Sequence, residues 1–510
     1  MAQYILAHDL GTTGNKASLY DADGQLVGSS FYEYGTDYAQ TGWAEQNPED
    51  WWAAVCASTK ALLRDAHARS DEIACIVFSG QMMGCVPLDK DARALRKAII
   101  WADQRSVPQQ EFVASRIAPE DVYHITGHRL SASYSLCKIL WLKDHQPDVY
   151  AATYKFVHAK DAMVARLTGR FVTEPSDASG MNLYDLNSGT WSGRILDAAE
   201  LDADRLPDII RSTDVVGGVL ASVADEVGVP AGTPVVIGGG DGSCAAVGAG
   251  VVAEGAAYNY VGSSSWIAIA SKAPIYDPQL KTFTFAHLVP GMMMPTGTMQ
   301  AAGASYQWAR DQLCAIEVDA ARSLAINPYE LMNMSADQSH PGANGLLFLP
   351  YLMGERSPRW NPKARGAFIG LTIRHTHGDM VRAVLEGITF NLRVILDAFT
   401  AQGANIEAMR VIGGGARGRF WNQIMANIYG IPVQRLTVLE EATSMGAAVA
   451  GGVGIGLYKD WTIIEQMNQF AEIIPPQANA VTRYQQLYPV WDAAYTALLP
   501  IYDMLADVAH

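Results

Sequence analysis

The sequence has few cysteines and few clustered metal ligands. None of its six cysteines forms a C-x-x-C pair with another: Cys56, Cys75, Cys85, Cys137, Cys244 and Cys314. Such scattered cysteines disfavour a zinc cage and a disulfide framework. His375 and His377 lie in a polar turn without other ligands nearby in the sequence, so we expect no metal there. The cysteine pattern favours a reducing compartment, and we expect a cytoplasmic protein.

Excess basic charge and long apolar runs are also missing. The formal net charge is −15 at pH 7, so nucleic acid and anionic membranes would not attract the chain electrostatically. The longest weakly polar stretch, residues 442–457, is rich in glycine and alanine and favours a close-packed helix over a membrane span. The first residues lack the basic region of a signal peptide. We therefore expect no nucleic-acid partner and no membrane partner.

The two most familiar nucleotide-binding motifs do not occur. No G-x-x-x-x-G-K-[ST] is present, and no G-x-G-x-x-G opens a helix after the first strand. Any phosphate must therefore be held in another way. An acidic chain can still bind ATP, because backbone N–H groups, hydroxyls and Mg²⁺ meet the phosphates locally.

Two aspartates stand in short glycine-flanked motifs. Residues 9–14 read Asp-Leu-Gly-Thr-Thr-Gly and residues 238–242 read Gly-Gly-Gly-Asp-Gly, and each motif follows an apolar run that favours a strand. The pattern predicts a carboxylate at a tight turn after each strand. Glycines let N–H groups approach an anion, threonines add donors, and such carboxylates hold Mg²⁺ or accept a proton. The combination indicates phosphoryl transfer, although a plain Asp-Gly turn is the alternative for either motif alone.

Strands alternate with helices along the chain, which indicates an α/β fold. We expect strands at residues 4–7 and 73–78, and helices at 48–64, 119–126 and 136–144. A chain of 510 residues exceeds one ordinary core and favours two domains.

The pattern of the opening residues is repeated near residue 250. Residues 256–265 resemble the first strand and its turn, with hydroxyls retained and the acid absent. This repeat predicts a duplicated domain, with boundaries at 1–250 and 251–510 and the ligand between the halves.

Three segments resemble the FGGY family of carbohydrate kinases. They are residues 9–13, residues 133–142, and residues 366–371 followed by 379–386. The resemblance extends over nearly the whole chain and implies two duplicated actin-like, ribonuclease H-like ATPase domains with a cleft between them. It further implies ATP-dependent phosphorylation of a small-molecule sugar, with ATP and Mg²⁺ as cofactors, and it allows a homodimer. The first domain would hold sugar, phosphate and catalytic base, and the second would hold adenosine.

The resemblance also implies roles for single residues. Asp241 would be the general base that takes the proton of the attacking sugar hydroxyl. Asp9 would organise Mg²⁺, with Asp241 as the second acidic group. The residues implied to hold the nucleotide are Gly11, Thr12, Thr13, Lys16, Gly262, Ser263, Gly303, Gln307, Gly414, Gly415, Ala416 and Asn422. The alternatives are an exposed structural role for Lys16 and a plain strand-to-helix turn for residues 413–418.

The sugar pocket would be built by Gln81, Met82, Met83, Trp101 and Asp103, together with Asp241. A carboxylate such as Asp103 can accept two sugar hydroxyls, and the ring of Trp101 can cover the carbon skeleton. The alternative for Trp101 and for Gln81 is a place in the core.

Within the family the sugar motifs are most similar to those of xylulokinases, which implies D-xylulose as substrate. The Gln-Met pair at residues 81–82 differs from the Arg-Glu of glycerol kinases, but Met83 stands where xylulokinases usually have histidine. A thioether cannot replace the imidazole donor, so another ketose, polyol or aldonate, such as ribulose, erythritol or gluconate, stays open. A non-catalytic actin-like ATP-binding module is the alternative outside the enzymes.

Overall fold

The computed structural model describes residues 3–508. The elements of its first half are, in chain order, β1 (Tyr4–Leu10), β2 (Gly14–Tyr20), β3 (Leu26–Glu33), β4 (Glu45–Gln46), α1 (Pro48–Asp65), β5 (Ile73–Gly80), β6 (Val86–Leu88), β7 (Ala98–Ile99), α2 (Val107–Ala114), α3 (Pro119–Thr126), α4 (Ser135–His145), α5 (Pro147–Ala152), β8 (Lys155–Val157), α6 (Ala159–Thr168), β9 (Val172–Thr173), α7 (Pro175–Ser179), β10 (Tyr184–Asp185), β11 (Thr190–Trp191), α8 (Gly193–Ala199), β12 (Asp208–Ile209), β13 (Val215–Gly218), α9 (Ala224–Val227), β14 (Pro234–Gly240) and α10 (Asp241–Gly248). The predicted strands and helices of this half are confirmed, with ends that differ by at most a few residues.

The elements of the second half are β15 (Ala257–Val261), β16 (Ser265–Ile269), β17 (Phe283–Ala286), β18 (Met293–Met299), α11 (Gly303–Leu313), α12 (Ala315–Leu324), α13 (Pro328–Asp337), β19 (Leu347–Leu349), β20 (Ala367–Ile369), α14 (His377–Ala401), β21 (Met409–Ile412), α15 (Arg419–Tyr429), β22 (Val433–Leu436), α16 (Ala442–Gly454), α17 (Ile464–Met467), β23 (Phe470–Ile474) and α18 (Ala478–Val508). Within residues 3–508, no helix combines the length and the apolar character that crossing a membrane requires.

Local chemistry explains how the first layer forms. Strand β1 is buried along most of its length because helices cover both faces of its sheet. Helix α1 begins after Asn47, whose side chain accepts a hydrogen bond from the N–H of Glu49, and Pro48 occupies its first turn. Its buried face includes Trp51 and Trp52, which pack into the first core.

The two halves repeat one sheet topology. The first sheet has the order β3-β2-β1-β5-β14-β13, and the second contains the order β18-β16-β15-β21-β22-β23, with β17 added beside β18. In both sheets the first three strands pair antiparallel, the next two pairings are parallel, and the last is antiparallel. The prediction of a duplicated α/β domain is therefore confirmed.

Two helices lie between the sheets and cross the sequence boundary. Helix α16 belongs to the second half, yet its residues 447–450 share a core with Ile5, Val77 and Val236 of the first sheet. Helix α10 belongs to the first half, and its Ala245 packs with residues of the second sheet. A boundary at residue 250 thus divides the sequence, but the packing of α10 and α16 joins the halves.

Candidate active site

The strand ends bring Asp9 and Asp241 to one edge of the first sheet. Asp9 pairs with Lys16 on β2 and with Ser79 on β5, and Ser79 lies opposite Gly239 on β14. Asp241 follows two residues later as the first residue of α10. The predicted tight turn is wrong in detail, since Asp9 lies inside β1 and Asp241 opens a helix.

Both carboxylates are partly shielded from water, and this changes their acidity. Burial raises the pKa of Asp241 to about 7, and the neighbouring charge of Asp9 adds to the effect. Burial likewise raises the pKa of Asp9 to about 6, although Ser79 and Lys16 lower it. The two carboxylates together offer negatively charged oxygen ligands, and these fit a divalent cation such as Mg²⁺.

A cavity of about 340 Å³ opens between the halves beside Asp9. Its lining comprises Asp9, Lys16, Tyr260, Ile412, Gly413, Gly414, Leu439, Glu440, Ala442 and Thr443. Lys16 faces this cavity, and its Nζ lies 3.2 Å from Oε1 of Glu441 in the second half. Lys16 is therefore only partly exposed and links the two halves at the predicted phosphate site, and its contact with phosphate stays a prediction.

The predicted phosphate loop is held by side chains that the sequence did not single out. The Tyr34 hydroxyl donates to the carbonyl of Gly11 at 2.6 Å, and Gln46 Nε2 donates to the carbonyl of Thr12 at 2.6 Å. Thr13 is exposed at the tip of the loop. Tyr34 and Gln46 carry no motif that would identify them, because each reaches the loop only through the fold.

The corresponding loop of the second half forms part of the predicted nucleotide site. The N–H of Gly303 donates to the carbonyl of Gly262 at 2.9 Å, and that of Ala304 donates to Ser263 at 3.0 Å. A Cβ at Gly303 would lie 2.4 Å from the carbonyl oxygen of Gly262, so only glycine permits this approach. Helix α11 therefore begins on the turn after β15, and Gln307 is exposed on it.

The glycine-rich loop after β21 fits closely against that turn. Gly413 has a φ of +86°, and a Cβ at Gly415 would lie 2.4 Å from Cγ1 of Val261. Gly414 faces open space and the cavity. The side chains of Ala416 and Asn422 are fully buried, and Asn422 Nδ2 donates to the Ala416 carbonyl at 2.8 Å. Asn422 therefore supports the loop from below, and contact of Gly414, Gly415, Ala416 and Asn422 with the nucleotide stays a prediction.

The predicted sugar segment lies beside the phosphate loop and the strand of Asp241. Gln81 Nε2 donates to Gln46 at 2.7 Å, while its buried Oε1 has no hydrogen-bond partner in the described structure. Met82 is buried against Gly240, and a Cβ added at Gly240 would lie 2.6 Å from Sδ of Met82. The segment is therefore positioned to face the atoms around Asp241.

Met83 has a strained backbone conformation, and Lys138 holds its carbonyl in place. Its φ is +62°, a conformation that costs non-glycine residues energy and concentrates at functional sites. Nζ of the buried Lys138 donates to the carbonyl of Met83 at 2.6 Å and to that of Ser133 at 2.5 Å. Trp101 is half-buried near this segment, and its indole nitrogen lies 2.9 Å from the Thr12 hydroxyl oxygen.

The prediction that Asp103 binds sugar hydroxyls is wrong. Its carboxylate is fully buried, and its oxygens accept hydrogen bonds from the N–H of Ala44 at 2.6 Å and from the guanidinium of Arg105 at 2.7 and 3.0 Å. The N–H of Arg105 also donates to it at 3.0 Å. These bonds occupy the acceptor positions of the carboxylate, so Asp103 fixes the turn after Trp101.

His377 also differs from the prediction that it lacks nearby ligands. Cys314 Sγ lies 3.4 Å from its Nε2, and Glu317 Oε1 lies 3.1 Å from its Nδ1. One ligand atom from each of Cys314, Glu317 and His377 lies within 4.8 Å of the other two. The cluster lies where α14 begins, away from the cavity.

Known proteins agree with this arrangement. Residues 4–248 match the N-terminal domain of the FGGY family of carbohydrate kinases, and residues 257–455 match its C-terminal domain. The chain is 32% identical to a xylulose kinase of Bacillus subtilis (strain 168), over 97% of both proteins. It is 28% identical to a gluconokinase of Bacillus licheniformis, over 99% of this chain and 98% of that protein.

A solved structure gives the same result for the fold. Ligand-bound xylulose kinase from Lactobacillus acidophilus superposes with a TM-score of 0.91 at 28% identity, over 99% of this chain and all of the other. These matches favour an ATP-dependent sugar kinase over a non-catalytic ATP-binding module. With its repeated sheets and its two aspartates at one cleft, the chain belongs to the FGGY family of carbohydrate kinases.

Proposed function

We propose that this kinase phosphorylates a small neutral ketose, with D-xylulose as substrate and D-xylulose 5-phosphate as product. The xylulose kinase of Bacillus subtilis, 32% identical along nearly the whole chain, supports the sugar class. The Gln81-Met82 pair supports it from the sequence side.

The observation that carries the proposal is that the cationic side chains near the sugar segment are already engaged in other contacts. None of the residues predicted to contact sugar is cationic. Lys138 is buried and donates to two carbonyls, and Arg105 is bound to Asp103 and Glu45. Neither is free to neutralise a sugar carboxylate, so the segment favours a neutral substrate over an aldonate.

Asp241 is the general base of the proposed reaction. A pKa of about 7 places it close to the pH at which a base both stays ionised and accepts a proton. It would take the proton from the sugar hydroxyl as that oxygen attacks the γ-phosphate of ATP. Gly11, Thr12, Thr13 and Lys16 would hold the phosphates beside it.

Mg²⁺ would be held by Asp9, with Asp241 nearby. When bound, the ion supplies positive charge that stabilises the phosphate oxygens during transfer. Asp9 meanwhile stays in register with Lys16 and Ser79, which fixes its carboxylate at the edge of the sheet. The loops after β15 and β21 would hold the adenosine.

Gluconate is the second candidate substrate, because a gluconokinase is 28% identical over almost the same length. Its carboxylate would need a cation that Lys138 and Arg105 do not offer in this structure.

A coupled ADP-release assay over D-xylulose, L-xylulose, D-ribulose, erythritol, glycerol and gluconate tests the proposal. We expect the highest kcat/KM with D-xylulose, and ³¹P NMR of the product should show a phosphate monoester at carbon 5. Asp241→Asn serves as the matched control for background ATPase activity. A preference for gluconate would contradict the neutral-sugar assignment and leave the kinase family unaffected.

A further inference from the structure

A buried polar network lies behind the sugar segment. It comprises Ser135, His158, Lys160, Asp161, Glu174, Ser176 and Asp177, and each of these residues is at most 1% exposed. The residues come from α4, from the start of α6 and from α7 with its cap, Glu174. None of them is a predicted sugar, phosphate or metal ligand.

One end of the buried polar network holds the sugar segment. The Ser135 hydroxyl oxygen lies 2.5 Å from the carbonyl oxygen of Gly84, to which it must donate because a carbonyl only accepts. His158 Nε2 lies 2.8 Å from the same hydroxyl oxygen and therefore donates to it. His158 Nδ1 contacts Asp177.

The other end holds the strand that carries the base. Ser176 Oγ accepts a hydrogen bond from the N–H of Gly240 at 3.0 Å and donates to Glu174 Oε1 at 2.7 Å. Gly240 is the residue directly before Asp241. The position of the base thus depends on the hydroxyl of Ser176.

Lys160 connects the two ends. Its Nζ lies 3.1 Å from Asp177 Oδ2 and 3.6 Å from Glu174 Oε1, and it contacts Asp161 at 2.6 Å. Burial opposes the charge on Lys160, but these three carboxylates raise its pKa above the ordinary value. The links from Gly84 to Gly240 are therefore continuous hydrogen bonds and ion pairs.

Close backbone packing leaves little room for the ends to move separately. A Cβ at Gly80, the residue before Gln81, would lie 2.9 Å from Cβ of Lys160. A Cβ at Gly239 would lie 3.2 Å from Ser176 Oγ. The buried polar network thus touches both β5 and β14 where they enter the site.

We propose that Ser135, His158 and Ser176 are positioning residues that set the sugar segment and Asp241 at a fixed separation. The inference rests on the proposed function, in which residues 81–83 face the sugar and Asp241 is the base. Buried ion pairs are a costly way to gain stability alone, because apolar residues of similar volume stabilise as well or better. Their value here is a fixed geometry, since misplacing reacting groups by about 1 Å can cost about 10²-fold in rate.

Single serine variants test each end of the buried polar network on its own. In Ser135→Ala we expect the KM for sugar to rise about tenfold while the KM for ATP stays within about twofold, because only the sugar segment is released. In Ser176→Ala we expect kcat to fall about tenfold with the KM for sugar nearly unchanged. Ser58→Ala is the matched control, because Ser58 is 1% exposed and its hydrogen bonds go to Ala54, Val55 and Asn15, none of which belongs to residues 81–84 or to β14.

The double variant tests whether the ends belong to one unit. If they do, the fold loss in kcat/KM of the double variant should be smaller than the product of the two single losses, by about threefold or more. Hydrogen exchange gives a readout that does not need Ser135→Ala to fold. In Ser176→Ala, residues 81–84 should exchange faster although Ser176 does not contact them, whereas in Ser58→Ala they should exchange as in the wild type.

Two results would overturn the proposal. One is a set of variants with lowered Tm but wild-type kcat and KM values, and the other is unchanged exchange at residues 81–84 in Ser176→Ala. Failure of the proposed function is a separate outcome, because it is read from the wild type. If the wild type prefers another sugar, the same variants are compared with that sugar.

Discussion

The indole nitrogen of Trp101 donates to the hydroxyl oxygen of Thr12 at 2.9 Å. This bond joins a residue predicted to cover the sugar with a residue predicted to hold phosphate. The hydroxyl of Thr12 remains free to donate to a phosphate oxygen, so its direction depends on the indole. The predicted sugar and phosphate sites therefore share a hydrogen bond.

Trp101→Phe removes the indole N–H and keeps an aromatic wall. We expect KM to rise about threefold to tenfold for both ATP and sugar, the range that one hydrogen bond provides. Steady-state kinetics with each substrate varied in turn measures the effect. Trp52→Phe is the control, because its indole donates to Glu226 at 2.8 Å on the far side of α1. An effect confined to sugar would show that the bond to Thr12 is irrelevant to ATP.

Asp241→Asn keeps the shape of the side chain but cannot accept the proton. We expect kcat to fall by about 10²–10⁴-fold while sugar binding stays largely intact. Rapid-quench assays at saturating sugar and ATP give kcat, and calorimetry gives the sugar Kd. Turnover close to that of the wild type would assign the base to another residue.

Asp9→Ala should weaken the use of Mg-ATP far more than the affinity for sugar. The reason is that Asp9 faces Lys16 and the cavity, whereas the sugar segment follows β5. Titrations of ATP at several Mg²⁺ concentrations, together with sugar calorimetry, measure both effects. Loss of sugar binding with unchanged ATP binding would reverse the assignment of Asp9.

Glu355 gives the chain a pH-dependent stability that is independent of the reaction. Burial raises its pKa to about 7, although the N–H groups of Gln300 and Arg356 and the amide of Asn391 donate to it. Between about pH 4.5 and 7 the folded state binds a proton that the unfolded state has released. Stability due to this group therefore falls as pH rises through that window, by up to about 3 kcal/mol.

Thermal unfolding of the wild type and of Glu355→Gln from pH 5 to pH 8 measures this contribution. Because glutamine does not ionise, the stability of the wild type relative to the variant should decrease as pH rises. A difference that is constant with pH would mean that Glu355 titrates in its ordinary range.

Local patterns were sufficient to predict the strands, the two aspartate motifs and the repeat. Each of these depends on residues close together in the sequence, such as the apolar run before Asp9 and the glycines around Asp241. The role of Asp103 could not be predicted, because its acceptors are taken by Ala44, which lies 59 residues away, and by Arg105. The sequence shows that a carboxylate is present, but not which hydrogen-bond donors contact it in the folded protein.

The contact between Lys16 and Glu441 could not be predicted for the same reason, and here the two residues are even farther apart in the sequence. These residues are 425 positions apart, and only the packing of α16 on the first sheet brings them together. The prediction of a close-packed helix within residues 442–457 is correct for α16. It missed Glu441 and the cavity residues Ala442 and Thr443, because helix periodicity does not reveal which end of a helix faces a ligand.

Helices α10 and α16 cross with backbone directly against backbone. A Cβ at Gly446 would lie 1.9 Å from the carbonyl oxygen of Cys244, and one at Gly248 would lie 1.8 Å from that of Ala442. The crossing therefore fixes the spacing between the two helices, because neither glycine leaves room for a side chain. Because α10 starts at Asp241 and α16 starts at the cavity, a methyl group at either glycine would force the two helices apart next to the site.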